Sequence, residues 1–268
     1  MSGGGGGGGG GVGGAAKPAD PMEAEFDVVA RWTEQAVAEL GTEYAVPAGC
    51  RGTGSPSAFA WLAEALQIER GVRFLDSGAG VGGPGAWLRD HYDVEPVLSE
   101  PMSAAAGASH RLFGLPSVVA WSQSLPFRSG AFDALWSLGV LCTVPDKAAL
   151  LAEARRVLVP TGRLGLLVYV RTPEPLPESP EGNDFPTQQE LHDLLDETGF
   201  TVLQSTDADD LGSSPLTWQA RLDRVEALVE ERHSDSEAWQ VAEAQSAIMG
   251  RLIGGGHVRS VLVHAVAG

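Results

Sequence analysis

The sequence holds only two cysteines among 268 residues, Cys50 and Cys142. So few exclude a disulfide framework and a cysteine metal cluster, and no metal is expected. Cys142 lies in the apolar run SLGVLCTV and reads as a small buried hydrophobe. Positive charge is scarce as well: 18 Lys and Arg stand against 35 Asp and Glu, a formal net charge of -17. No basic stretch interrupts that balance, so steering onto a phosphate backbone has no support and no nucleic acid partner is expected. The acidity reads first as solubility, and second as a preference for neutral or cationic small substrates. Long apolar runs are missing too. None approaches the roughly 18 residues that a membrane span requires. The start of the chain shows no basic region followed by an apolar core. A cytoplasmic protein without a membrane partner is expected, and nothing in the sequence sets its oligomeric state.

What is present is an ordinary globular balance, 43 % hydrophobic and 20 % charged. Residues 1–21 are a glycine tract ending in AAKPADP, with nothing to bury, and read as a disordered tail. From Met22, Phe26, Val29, Ala30, Thr33, Val37 and Leu40 fall at helical spacing, and Gly41 ends the pattern. A second helix opens with Ser55 as N-cap and Pro56 at its first position. The stretch GTEYAVPAGCRGTG between them reads as a loop.

The period then changes. VRFLD (72–76), VEPVLS (94–99), SVVAW (117–121), FDALWSL (132–138), RLGLLVYV (163–170), FTVLQ (200–204) and VRSVLVHAV (258–266) read as strands, with helices between them. Asp146 caps one helix, and Thr187 with Glu190 forms a capping box for another. Strands alternating with helices predict an α/β fold: a doubly wound, mostly parallel, seven-stranded Rossmann-like sheet. Residues 22–268 form one domain in this reading. Residues 22–70 supply N-terminal lid helices, and 206–256 is a helical insertion before the last strand, its second helix capped by Ser234 and Glu237.

One stretch is built for close backbone approach. FLDSGAGVGGPGAWL (74–88) carries five glycines within eight positions, behind a strand and before a helix. It lacks the Lys-Ser/Thr ending of a nucleoside triphosphate loop. Asp76 closes the first strand, and Glu100 closes the second, 24 residues on. In a doubly wound sheet both ends face one crevice, where a carboxylate accepts hydrogen bonds from a vicinal ribose diol. These residues fit an adenosine ligand of either class, NAD or S-adenosylmethionine. A carboxylate there opposes a 2′-phosphate, so NADP is disfavoured.

Roughly residues 70–170 resemble the class I S-adenosylmethionine-dependent methyltransferases, and are similar to the branch that acts in ubiquinone and menaquinone biosynthesis. The shared features are D-x-G-x-G-x-G at 76–82, Glu100, LPF before FDALWSLGVL, and RVL-x-P-x-GRL before the fifth strand. The resemblance implies S-adenosyl-L-methionine as cofactor and methyl transfer to a small molecule. It implies that Gly78, Gly80 and Gly82 pass under the methionine part and that Asp76 orients the loop or meets the amine through water. Glu100 would hold the ribose, Met102 would pack on the adenine, and Leu138 would offer its carbonyl to the amine. Ser122 and Gln123 lie where the family reaches the adenine amine. Trp121 stands in the usual acidic slot, and Thr161 replaces the commoner glycine in the turn before the fifth strand. A non-catalytic module that keeps the cofactor, and an NAD-dependent oxidoreductase, are the alternatives.

Transfer from a sulfonium needs mainly an acceptor held at about 3–3.5 Å and the exclusion of water. A base is required only where the acceptor must lose a proton, so no catalytic residue is assigned. Candidate substrate residues are Tyr44, Arg51, Tyr169, Arg171 and His233, from loops and helices around the expected pocket.

Overall fold

A seven-stranded sheet organises residues 21–268, which the computed structural model describes. Its strands are β1 (Phe74–Ser77), β2 (Val97–Glu100), β3 (Ser117–Val119), β4 (Phe132–Leu138), β5 (Leu158–Arg171), β6 (Phe200–Asp207) and β7 (Val258–Ala267). They lie in the order β3-β2-β1-β4-β5-β7-β6. The first five run parallel, and β7 is antiparallel to both β5 and β6. The doubly wound, mostly parallel sheet read from the sequence is therefore the one observed. The chain order reverses at β1, which pairs with β2 on one side and β4 on the other. Ligands of such sheets bind at that switch point. The glycine tail lies outside the described residues except at Pro21, which already opens a helix.

The helices are α1 (Pro21–Leu40), α2 (Ala45–Ala48), α3 (Pro56–Ala65), α4 (Gly83–Tyr92), α5 (Ser103–Phe113), α6 (Lys147–Val157), α7 (Gln188–Glu197), α8 (Leu216–His233) and α9 (Glu237–Gly254). Each face of the sheet has its own core. On one, Leu150, Leu151 and Val157 of α6 and Leu191 and Leu195 of α7 cluster with Leu135, Leu164, Leu166 and Val168. On the other, Phe59 and Leu62 of α3 and Trp87 and Leu88 of α4 cluster with Phe74, Trp136 and Leu167. Each such side chain, fully buried, stabilises the fold by roughly 1.5–3 kcal/mol. These two faces fix the strand ends that carry the glycine loop.

Local signals account for several helix starts. The Ser55 side chain accepts Ala58 N–H, Asp146 accepts Ala149 N–H, and Thr187 with Glu190 closes a reciprocal box. Three readings needed correction. The stretch 41–54 is not all loop: a 3₁₀ turn (Thr42–Tyr44) and α2 form there. Ala45, Ala48 and Tyr44 join a cluster with Val37 of α1 and Val225 and Val229 of α8, so tertiary packing overrides the loop-like composition. Phe26, placed on the apolar face of α1, is 42 % exposed. Ser234 does not cap α9. It ends α8, where its N–H bonds Glu230 O, and Ser236 caps α9 by accepting Trp239 N–H at 3.2 Å. Thr161 holds φ 63°, a left-handed conformation that favours glycine and costs other residues about 1–2 kcal/mol.

The cap assignment is testable by thermal unfolding. Ser236→Ala should cost about 1 kcal/mol, whereas Ser234→Ala should change stability by only a few tenths. The reverse ranking would restore Ser234 as the cap.

Candidate functional site at the head of the sheet

The glycines after β1 divide their work. A Cβ on Gly78 would lie 2.4 Å from Val140, and one on Gly83 would lie 2.4 Å from the Gly49 backbone. Those two positions are required by packing. Gly80 is different: its φ is +55°, and a Cβ there would meet nothing within 4 Å. Its face of the loop opens onto free space. Gly82, with φ 91°, is the N-cap of α4.

Glu100 ties this loop to the next strand. Its Oε2 accepts Gly80 N–H at 2.8 Å, and its Oε1 accepts Met102 N–H at 3.0 Å. The residue is only 5 % exposed. Burial raises its pKa, the two backbone N–H groups pull it down, and the charge of Asp27 raises it. Asp76 is buried at the end of β1, and its Oδ2 has no hydrogen-bond partner. Burial lifts its pKa to about 7; the Trp136 indole N–H lowers it, Glu100 raises it, and the Gly85 N–H lowers it. Trp136 Nε1 reaches no acceptor in hydrogen-bond geometry, so it acts on Asp76 only as a nearby dipole.

A second set of ties fixes the end of β3. The Ser77 hydroxyl bonds the Ser122 hydroxyl at 3.0 Å, and the Ser137 hydroxyl donates to Ser77 O at 2.9 Å. Three strand ends, β1, β3 and β4, are thereby joined by short polar side chains. Beside Ser122, the Oε1 of Gln123 is buried and without a partner. Trp121, in the acidic slot of the resemblance, is 47 % exposed. Leu138 is buried at the end of β4 and pairs with Leu167.

The substrate candidates scatter. Arg51 lies beside the head of the sheet: a Cβ on Gly139, just past β4, would meet Gly52 O at 2.7 Å. Its guanidinium is 3.3 Å from the buried Glu25 and 5.9 Å from the Phe26 ring centroid. Tyr44 packs into the cluster between α1 and α8. Tyr169 packs against the cores on both faces of the sheet, and burial pushes its pKa to about 12. Arg171 donates to Phe185 O, to Thr172 O and to Glu190. It lines a side cavity of about 460 Å³ with Thr187, Gln188, His257 and Arg259, which no glycine-loop residue borders. His233 stacks on Trp32, ring centroids 4.1 Å apart. Cys142 is buried, with its thiol pushed up to about 11, which keeps it a protonated hydrophobe. Sequence reasoning missed Asp27, whose Oδ1 accepts Ala104 N–H at 2.6 Å. No local pattern signals a contact across that separation.

Among the described residues, no group of three or more His, Cys, Asp or Glu side chains is placed to hold a metal. No helix of the described residues is long and apolar enough to cross a membrane. What converges at the loop is a set of acceptors: the Glu100 carboxylate, the unpartnered Asp76 Oδ2 and the unpartnered Gln123 Oε1, beside an open glycine. That set suits a cationic ligand rich in donors, such as a ribose diol, an ammonium and an adenine amine.

Residues 75–166 match a family described as a methyltransferase domain. A curated relative, 24-methylenesterol C-methyltransferase 2 of Oryza sativa subsp. japonica, is 31% identical over 182 residues, 60% of this chain and 49% of that protein. The chain spans half or less of the length of the first curated relatives it matches, 40% to 49%. Among solved structures, the cyclase SpnF superposes with a TM-score of 0.72 at 18% identity, over 92% of this chain and 94% of that one. Haemonchus contortus phosphoethanolamine N-methyltransferase 2, solved with phosphomonomethylethanolamine and S-adenosylhomocysteine, gives 0.68 at 14% identity, over 94% and 61%. At those identities the structures speak for the fold. Residues 75–166 thus match a methyltransferase domain, and the sheet that carries them is the Rossmann-like one these structures share. The cofactor of such a domain is S-adenosylmethionine, and the acceptor set at the glycine loop fits it.

Asp76 gives this site a pH signature. A carboxyl whose folded pKa is raised stabilises the fold fully below its unfolded value, near 4, and loses that contribution as pH climbs to about 7. Asp76→Asn should therefore match the wild type near pH 4 and exceed its unfolding free energy at pH 8 by up to about 4 kcal/mol. Equal stability of the two proteins at pH 8 would show that Asp76 is not held neutral.

Proposed function

We propose that the protein transfers a methyl group from S-adenosylmethionine to a small-molecule acceptor. The observation that carries this reading is the pairing of an open Gly80 with the buried Glu100 at adjoining strand ends, inside the segment that matches a methyltransferase domain. The bound cofactor supplies an activated methyl group on a sulfonium, passed to the acceptor by in-line displacement. In this reading Gly78, Gly80 and Gly82 shape the floor of the cofactor site. Glu100 accepts from the ribose hydroxyls with the lone pairs left by Gly80 and Met102. Asp76 orients the loop and faces the amine, Leu138 offers its carbonyl there, Met102 covers the adenine, and Ser122 with Gln123 receives its amine. Buried carboxylates at the crevice also favour a cationic ligand electrostatically.

The chain is read as one methyltransferase unit over 22–268, with 22–70 as lid helices and 206–256 as an insertion. Tyr44 and His233 stiffen the packing of that cover. Of the remaining candidates, Arg51 stands beside the head of the sheet and is kept for the acceptor side, whereas Tyr169 is taken up by the cores and Arg171 by its side cavity. Within the class, LPF and RVLVPTGRL support the ubiquinone and menaquinone branch. The acidic composition, without basic tracts, supports a cytoplasmic enzyme that does not bind nucleic acid. The likeness to a cyclase means that the fold alone does not fix the reaction. Methyl transfer rests instead on the matched segment and on the acceptor set.

Incubation with labelled S-adenosylmethionine and a panel of hydroxyl, amine and carbon acceptors should release S-adenosylhomocysteine with at least one of them. Tight cofactor binding with no turnover on any acceptor would favour the non-catalytic module. Two variants test the cofactor site by calorimetry. Glu100→Ala should weaken S-adenosylhomocysteine binding by roughly 1–3 kcal/mol. Gly80→Val should abolish binding, with a stability cost of only about 1–2 kcal/mol from its left-handed backbone. Wild-type affinity in either variant would remove that residue from the site.

A further inference from the structure

Asp27 joins two helices that lie 77 residues apart in the chain. It sits on α1, and its Oδ1 accepts Ala104 N–H, in the first turn of α5, at 2.6 Å. Its Oδ2 pairs with Arg31 at 2.6 Å. The N-cap of α5 is Met102, which offers no side-chain cap. Asp27 thus does from another helix what a capping Ser or Asp ordinarily does from within the chain. A carboxylate suits that place, because the exposed N–H groups and the helix dipole favour negative charge there.

The segment so capped is the one that Glu100 holds from the other side, through Met102 N–H. Residues 100–104 therefore lie between the glycine loop and α1. Along its length α1 packs on α5, and also on α8 and α9. There Trp32 stacks on His233 of α8 with the rings 7° from parallel, and Glu39 pairs with Arg232 at 2.5 Å. At the start of α1, Glu25 meets Arg51 of the loop after α2. One helix touches both the adenosine edge and the cover formed by α8 and α9.

We propose that Asp27 is a positioning residue that couples closure of α1, and with it the α8–α9 cover, to occupancy of the adenosine edge. The inference rests on the reading of that edge as an S-adenosylmethionine site. A ligand seated on Glu100 steadies residues 100–104, and the steadied first turn of α5 presents Ala104 N–H to Asp27. With α1 held down, α8 and α9 settle over the acceptor side. The cofactor then loads before the acceptor, and water is excluded only when both sides are in place.

Hydrogen exchange of the full chain, with and without S-adenosylhomocysteine, tests the coupling in the wild type, Asp27→Ala, Asp27→Asn and Arg31→Ala. In the wild type the ligand should slow exchange both in 78–86 and in 26–40. In Asp27→Ala the protection of 78–86 should persist, and the ligand-dependent protection of 26–40 should fall by about tenfold, the effect of losing one partly buried charged cap. Asp27→Asn keeps the acceptor oxygen and should recover most of it, and Arg31→Ala should behave as wild type. Equal ligand-dependent protection of 26–40 in Asp27→Ala and wild type would overturn the proposal. So would a wild type in which 78–86 responds and 26–40 does not. No ligand response even in 78–86 would overturn the cofactor reading, and the coupling with it.

Discussion

The carboxylate of Glu100 is the joint on which the head of the sheet depends. Its two oxygens hold the backbone of the glycine loop and the start of α5 at the same time. Backbone bonds from Gly78 N–H and Ala79 N–H to Ser99 O, at 2.8 and 3.1 Å, join the same two strand ends. Burial makes the charge costly, and the two N–H groups offset that cost. An apolar residue at position 100 would leave Gly80 and Met102 without their side-chain acceptor and loosen both segments. In the proposed reading the same carboxylate both builds the site and faces its ligand. The hydroxyls of Ser77, Ser122 and Ser137 tie β1 to the segment after β3 and to β4 with uncharged bonds.

The electrostatics of the crevice are one-sided. Asp76 and Glu100 lie within each other's field, and each carries a raised pKa. Such a pair is unstable as two bare charges and is relieved by a cation. A sulfonium with an ammonium beside it meets that need, and a dinucleotide with a pyrophosphate does not. This is the physical reason that the glycine loop prefers close approach over phosphate binding. The N-terminus of α4, which would suit a phosphate, instead packs against Gly49 and Asp76.

Much of this was legible in the sequence because it is local. Strands of four to eight apolar residues, the Ser55, Asp146 and Thr187 caps, and the spacing of Asp76, the glycines and Glu100 all carry their cause within a short window. The seven strands followed from the same alternation, but β5 starts at Leu158, ahead of the apolar run read at 163–170. What escaped was set by distant partners. The helical turns in 42–48 form because α1 and α8 cover them. Ser236, not Ser234, caps α9 because α8 continues to His233. The Asp27 contact with α5 and the ties that occupy Arg171 depend on side chains that only the fold brings together. The acceptor-side residues were the hardest to read for that reason: they belong to helices whose mutual packing leaves no periodic signature.

The central claim is that the loop at 76–85 and Glu100 bind an adenosine cofactor that carries a sulfonium or thioether, and not a pyrophosphate. Equilibrium titration of the purified chain with S-adenosylhomocysteine and, separately, with NADH tests it most directly. The account predicts saturable binding of S-adenosylhomocysteine and no saturable binding of NADH over the same concentration range. Saturable NADH binding without S-adenosylhomocysteine binding would contradict it.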